Sequence, residues 1–83
     1  MKQTARRTRQ LGALVRRERR RQGLTQTQLG TKIGLRQATV SRLEAGEPAT
    51  RLRTLFDTLA ALGLEVFIDK RGKSSIDEIE SLF

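Results

Sequence analysis

Short amphipathic segments, each closed by a glycine, constrain the fold of this chain more than any other feature of its sequence. Within each segment the apolar residues recur at helical spacing, and glycine is favoured directly after a helix because it adopts left-handed backbone angles. The sequence therefore predicts a mainly α-helical domain. The predicted helices and the glycines that end them are residues 9–22 with Gly23, 26–33 with Gly34, 36–45 with Gly46, and 51–62 with Gly63.

The second and third predicted helices are separated by only about three residues, around Gly34 and Leu35. Thr25 precedes the second helix, where its hydroxyl can accept from a free backbone N–H, and Gln28 follows at the capping-box position. Two short helices joined by a tight glycine-containing turn are typical of a helix-turn-helix, here residues 25–45.

The fourth predicted helix, capped by Thr50, carries much of the predicted core. Residues 64–68 then form an apolar, β-branched stretch that is too short for a helix, and they read as one strand. A lone strand needs a partner edge. That edge comes either from a second copy of the chain or from the N-terminal arm. The apolar residues of the fourth helix are Leu52, Leu55, Phe56, Leu59 and Leu62.

Charge is concentrated in the first half of the chain. The net charge is +8, and residues 1–42 hold twelve Lys or Arg against one acid, whereas residues 43–83 hold five against eight. An anionic partner is therefore expected. The chain has three Phe and no Trp or Tyr. Proteins that bind single-stranded nucleic acid stack the bases on aromatic side chains, so this composition favours duplex DNA as the partner.

Length and composition exclude several other functions. Eighty-three residues support one modest core and leave little room for a catalytic cleft, so no enzyme activity is expected. The chain has no Cys and no His, so neither a metal site nor a cofactor is expected. Its apolar runs are too short for a membrane span or a signal peptide, so a soluble cytoplasmic protein is expected.

Residues 24–46, LTQTQLGTKIGLRQATVSRLEAG, resemble the lambda-repressor-like (Xre-type) helix-turn-helix family. From Gln37 to about Ile68 the sequence is more specifically similar to the HipB-type antitoxins of toxin–antitoxin modules. This resemblance implies a four- to five-helix domain whose short C-terminal strand pairs across a homodimer. The expected organisation is a flexible basic arm (residues 1–8), a DNA-binding and dimerisation domain (9–71) with its strand at 64–68, and a flexible tail (72–83).

The resemblance also implies roles for individual residues. The helix that begins at Arg36 corresponds to the recognition helix, and Arg19 with Glu44 corresponds to an ion pair joining the first helix to the third. The implied base-reading residues are Arg36, Gln37, Ala38, Thr39, Ser41 and Arg42; the implied phosphate contacts are Thr25, Gln26, Arg51 and Arg53; the implied dimer contacts are Leu64, Val66, Phe67 and Ile68.

The resemblance implies a repressor of transcription that binds a palindromic operator and acts as the antitoxin of a HipA-type serine/threonine kinase. Two alternatives share this fold: toxin binding as the main task, and a phage-type or restriction-system repressor without a toxin. The arginines of residues 16–21 either contact DNA or form a solvated face. The tail is either a frayed terminus or a docking segment for the partner, through Ile76, Ile79, Leu82 and Phe83.

Overall fold

The computed structural model describes residues 3–71, which form four α-helices. Their bounds agree with the predicted helices to within one residue at each end, and they confirm the mainly α-helical class. The described residues contain no strand. The helices are α1 (Thr8–Arg21), α2 (Gln26–Ile33), α3 (Gln37–Glu44) and α4 (Leu52–Ala61).

The start and end of α2 are set by local sequence. Gln28 N donates to Thr25 Oγ1 at 3.0 Å, and Thr25 N donates to Gln28 Oε1 at 2.8 Å, which completes the predicted capping box. At the other end Gly34 takes left-handed angles, with φ 70°, and Leu35 N donates to Gly30 O at 2.8 Å. These bonds close the tight turn between α2 and α3.

Six apolar side chains from all four helices and the end of α4 form the core. Each fully buried Val or Leu side chain contributes about 1.5–3 kcal/mol relative to exposure. Leu64, which follows α4, packs against this core, and its N–H donates to Leu59 O at 2.8 Å. The core residues are Val15, Leu29, Val40, Leu43, Leu59 and Leu62.

A glycine lets α1 contact the end of α3 directly. A Cβ placed on Gly12 would lie 2.5 Å from the backbone oxygens of both Leu43 and Glu44. These are backbone atoms, so they cannot rotate away as a flexible side chain would. Glycine at this position is therefore required for the observed α1–α3 distance.

We expect Gly12→Ala to lower the free energy of unfolding by about 1–3 kcal/mol, because the overpacking outweighs the gain in helix propensity. Urea denaturation followed by circular dichroism measures this change. Arg17→Ala, at an exposed position of the same helix, is the control and should change the stability little. Unchanged stability of the Gly12 variant would contradict the close approach of the two helices.

Two predictions about the fourth helix are corrected by the structure. The N-cap of α4 is Arg51, not Thr50, because Arg51 is the last residue with extended backbone angles before the helix. Leu52 and Phe56 are 72% and 52% exposed, so they lie outside the core of the single chain.

Residues 64–70 have neither helical nor strand hydrogen bonding. Beyond Leu64 the side chains are exposed, and Val66, Phe67 and Ile68 form an apolar run on the surface. A strand requires a paired edge, which the described part of a single chain does not supply. The strand at 64–68 therefore stays a prediction about an assembly.

Candidate nucleic-acid interface

The outward face of α3 is the centre of the candidate site. Val40 and Leu43 point into the core, which turns the other side of this helix toward solvent. Arg36, the N-cap residue, is exposed. Of the remaining predicted base readers, Gln37, Ala38 and Arg42 are exposed, and Thr39 and Ser41 are half-buried.

A buried ion pair holds α3 against α1. Arg19 Nε donates to Glu44 Oε2 at 2.6 Å, and Arg19 Nη2 donates to Glu44 Oε1 at 3.0 Å. Arg19 Nη1 also donates to Leu24 O at 2.7 Å, just before α2. Hydrogen bonding to Glu44 raises the pKa of Arg19 above its ordinary value, so the guanidinium stays charged. Arg19 therefore links α1 to the end of α3 and to the loop that precedes α2.

A chain of hydrogen bonds leads from this ion pair to the surface of α3. Gln26 Nε2 donates to Glu44 Oε1 at 3.1 Å. Gln37 Nε2 in turn donates to Gln26 Oε1. The first residue of α2 therefore connects the buried carboxylate to the first residue of α3. The sequence prediction assigned Gln26 only to phosphate and missed this connection, because the sequence does not specify how closely the first residues of α2 and α3 approach each other.

The N-terminus of α2 retains donors for an anion. Thr25 Oγ1 accepts from Gln28 N, so its own hydroxyl hydrogen remains available. The backbone N–H groups of Gln26 and Thr27 have no acceptor among the described residues. These donors, together with the positive end of the helix, can hold a phosphate group.

The start of α4 presents two further cations, Arg51 and Arg53, both exposed. Arg53 Nε lies 3.9 Å from Asp57 Oδ2, and the Arg53 side chain is 91% exposed. An exposed ion pair of this length contributes little to the stability of the fold. Both guanidinium groups are therefore available to an anionic partner.

The arginines of α1 form a separate basic surface. Glu18 pairs with Arg21 at 2.6 Å, and hydrogen bonds from Arg21 and then from Gln22 lower the pKa of Glu18 to about 2. Four other exposed arginines of α1 line an open groove of about 530 Å³ beside the C-terminal end of α3. Its basic residues are Arg9, Arg16, Arg17 and Arg20.

The predicted dimer contacts divide into two groups. Leu64 packs against the core of its own chain, whereas Val66, Phe67 and Ile68 are 48%, 66% and 88% exposed. Leu52 and Phe56, which the sequence prediction placed in the core, add two exposed apolar side chains. The predicted partner-docking residues, Ile76, Ile79, Leu82 and Phe83, lie outside the described residues.

Neither a metal site nor a membrane span is evident in residues 3–71. The described acidic residues form no group of three that could hold a metal ion. None of the four helices is long and apolar enough to cross a membrane.

Comparison with known proteins identifies relatives of this arrangement. Residues 15–67 match the family described as helix-turn-helix. Antitoxin HipB of Escherichia coli (strain K12) is 34% identical over 71 residues, which cover 86% of this chain and 81% of that protein.

Solved structures of HipB show the same fold. A HipB-O4 20mer complex has a TM-score of 0.79 at 33% identity, covering 84% of this chain and 99% of that one. A HipA-HipB-O2-O3 complex has a TM-score of 0.78 at 33% identity, with the same coverage. The similarity therefore extends over nearly the whole of the HipB chains in these structures.

Proposed function

The chain belongs to the lambda-repressor-like helix-turn-helix family of DNA-binding regulators and has the HipB antitoxin among its relatives, and from that premise we propose that it represses transcription by binding a palindromic operator as a homodimer. The observation that carries the proposal is the exposed face of α3, held at a fixed angle by the buried Arg19–Glu44 pair. A DNA-bound regulator of this kind acts in the bacterial cytoplasm, at the nucleoid.

The side chains on the α3 face have the chemistry to distinguish base pairs. Gln37 can pair with adenine through N6 and N7, and Arg36 or Arg42 can pair with guanine through O6 and N7. Ala38 and Thr39 can lie against a thymine methyl group, and the Thr39 and Ser41 hydroxyls can form single hydrogen bonds. In the proposed complex this face lies in the major groove.

Two groups of hydrogen-bond donors would hold the DNA backbone that flanks the contacted bases. We assign one phosphate to the N-terminus of α2, with Thr25 and Gln26, and a neighbouring phosphate to Arg51 and Arg53 at the start of α4. These contacts would fix the position of α3 in the groove without reading sequence.

A homodimer would supply a second α3 for the DNA and a cover for the exposed apolar side chains. One α3 reads only a few base pairs, and two related copies would contact half-sites one helical turn apart, ~34 Å centre to centre. Exposed Leu52 and Phe56, with the run 66–68, provide an apolar surface that a second copy would cover. We assign strand pairing between copies to residues 64–68, within a domain of residues 9–71 flanked by an arm (1–8) and a tail (72–83).

We further propose a HipA-type kinase as the protein partner, with this chain as its antitoxin and the repressor of their shared promoter. The relative is an antitoxin, and one similar solved structure is a HipA-HipB-O2-O3 complex. The tail residues Ile76, Ile79, Leu82 and Phe83 are the proposed docking segment. A kinase-like gene beside this one and co-purification of its product support the proposal; the absence of both leaves a repressor without a toxin.

Selection of binding sites from a pool of random duplex DNA tests the proposed function. The expected result is one enriched palindrome, with half-sites separated by about one helical turn. Enrichment of no sequence would contradict specific binding. Enrichment of a single half-site would contradict the dimer.

On the selected operator, we expect Gln37→Ala or Arg42→Ala to weaken binding by about 1–3 kcal/mol and to relax the preference at particular base pairs. Arg51→Ala or Arg53→Ala should instead weaken binding evenly across sequences and reduce the salt dependence. Fluorescence anisotropy at several salt concentrations separates the two outcomes. Equal losses on operator and random DNA for all four variants would refute the assignment of base readers.

A further inference from the structure

The groove beside the end of α3 is a concave surface of positive charge that lacks a counter-charge. Glu44 lines it, but this carboxylate is buried and both of its oxygens accept from Arg19. None of the exposed arginines that line the groove forms an ion pair with a carboxylate of residues 3–71. These groove arginines are Arg9, Arg16, Arg17 and Arg20.

This charge is unfavourable for α1 itself. Like charges four residues apart, as at Arg16 and Arg20, repel each other on one face of a helix. Arg9 lies in the first turn, where the positive end of the helix disfavours a cation, and this turn has no acidic residue. An acidic segment in the groove would relieve both effects. Ala13 and Ala45 also line the groove, and their small side chains leave room for an apolar residue between the charges.

The chain contains a segment of the complementary composition. Residues 76–80 of the tail read Ile-Asp-Glu-Ile-Glu, so three carboxylates surround Ile79. The tail has only one lysine, Lys73, and no arginine. Its charge is thus opposite to that of the groove, and its apolar residues alternate with its acids.

The end of α4, from which the chain leads to the tail, lies beside the end of α1. Gln22 Nε2, just after α1, donates to Leu62 O at 2.7 Å. α1 has 14 residues, so it extends about 21 Å from that contact. Asp77 follows Leu64, which packs against the core, by thirteen residues, and a chain of that length spans up to about 45 Å. The tail can therefore reach the whole groove of its own chain.

We propose that the acidic segment 76–80 docks in the α1 groove of the same chain, with its carboxylates on the groove arginines and Ile79 between Ala13 and Ala45. One exposed guanidinium–carboxylate pair is weak. Several act together here, and a short tether gives the segment an effective concentration on the order of 1 mM, which a separate anion has to exceed.

The docked segment shields the groove arginines from other polyanions. Docking in the groove and docking on the proposed kinase exclude each other, because both use Ile79. The inference does not rest on the proposed function, since it concerns contacts within one chain.

Disulfide trapping tests the inference, because the chain has no cysteine of its own. The probe is the full chain with Ala13→Cys in the groove and Ser81→Cys next to the acidic segment. The control combines Ser81→Cys with Ala60→Cys, at an exposed position near the end of α4. A tail that does not dock would meet Ala60 at least as often as Ala13, since the tail is tethered through the end of α4.

We expect the disulfide between residues 13 and 81 to form at least about fivefold faster than the one between residues 60 and 81. Mass spectrometry of dilute protein under mild oxidation measures both rates and separates disulfides within one chain from those between copies. Sodium chloride at 1 M should remove most of the difference, because the screening length falls to about 3 Å.

Two charge variants show whether the groove arginines cause the difference. Arg16→Gln with Arg20→Gln should bring the rate for residues 13 and 81 to within about twofold of the control rate. Lys32→Gln with Arg53→Gln removes the same charge at exposed positions outside the groove. This second pair of substitutions should leave the rates unchanged.

Equal rates for the groove and control positions would overturn the inference, and so would a disulfide that forms only between two copies. A fast reaction that Arg16→Gln with Arg20→Gln leaves unchanged would show that charge does not hold the segment. Equal rates, together with weaker binding of scrambled duplex DNA by this variant, would assign the groove to nucleic acid instead. Failure of the proposed function is distinguishable, because a loss of sequence-specific DNA binding leaves the disulfide rates as expected.

Discussion

Replacing Phe56 and Ile68 together with serine is expected to convert the proposed dimer into a monomer. The two side chains are 52% and 88% exposed in the single chain, so the fold should keep its stability to within about 0.5 kcal/mol. In a symmetric dimer the double substitution removes four apolar side chains, each contributing about 1.5–3 kcal/mol when buried. The dimer dissociation constant should therefore rise by more than about 100-fold.

Sedimentation velocity measures the change from dimer to monomer. Fluorescence anisotropy on the selected operator measures the resulting loss of DNA affinity. Serine leaves the net charge of +8 unchanged, so a loss of operator affinity cannot be attributed to electrostatics. Ala60→Ser, at an exposed position of α4, is the control and should remain dimeric. A dimer that survives the double substitution would show that the two copies join elsewhere.

Glu44→Ala is expected to lower the free energy of unfolding by about 3–5 kcal/mol. It leaves the buried Arg19 guanidinium without its carboxylate, and an uncompensated buried charge is costly. Small domains have unfolding free energies of about 5–15 kcal/mol, so a large part of the total would be lost. Urea denaturation monitored by circular dichroism gives the value.

Two further variants separate charge burial from the loss of side-chain volume. Glu47→Ala, at an exposed carboxylate a few residues away, should cost less than about 1 kcal/mol. Replacing the pair together, with Arg19→Met and Glu44→Leu, should recover most of the loss, because a buried pair can be exchanged for apolar side chains. A Glu44→Ala variant as stable as Glu47→Ala would contradict the buried pair.

The helix bounds could be predicted from sequence because they depend on local chemistry. Thr25 and Gln28 form a capping box within four residues, and Gly34 supplies the left-handed angles that end α2. Such signals do not depend on how the helices pack. The correction at the start of α4 has a local cause as well, since Thr50 and Arg51 both precede the helix and only the backbone angles place the N-cap at Arg51.

The exposure of Leu52 and Phe56 could not be predicted in the same way. Helical spacing identifies an apolar face, but it does not say whether that face is covered by the same chain or by another molecule. Residues 64–68 present the same problem, because a strand exists only with a paired edge. Both features belong to the surface where a second copy is proposed to bind.

The link from Glu44 through Gln26 to Gln37 depends on the packing of three helices. The sequence resemblance identified the Arg19–Glu44 pair and the α3 face as separate features. Their connection follows from the angle between α2 and α3, which brings the first residues of the two helices within hydrogen-bonding distance. Sequence patterns do not specify that angle.

Sequence-specific binding of duplex DNA by the α3 face is the central claim, and the ratio of affinities for the selected operator and a scrambled duplex of the same composition tests it most directly. At one fixed salt concentration we expect the operator to bind at least ~10³-fold more tightly. With Gln37→Ala and Arg42→Ala combined, that ratio should fall sharply while binding to the scrambled duplex changes far less. Equal affinity of the unaltered protein for both duplexes would contradict the claim.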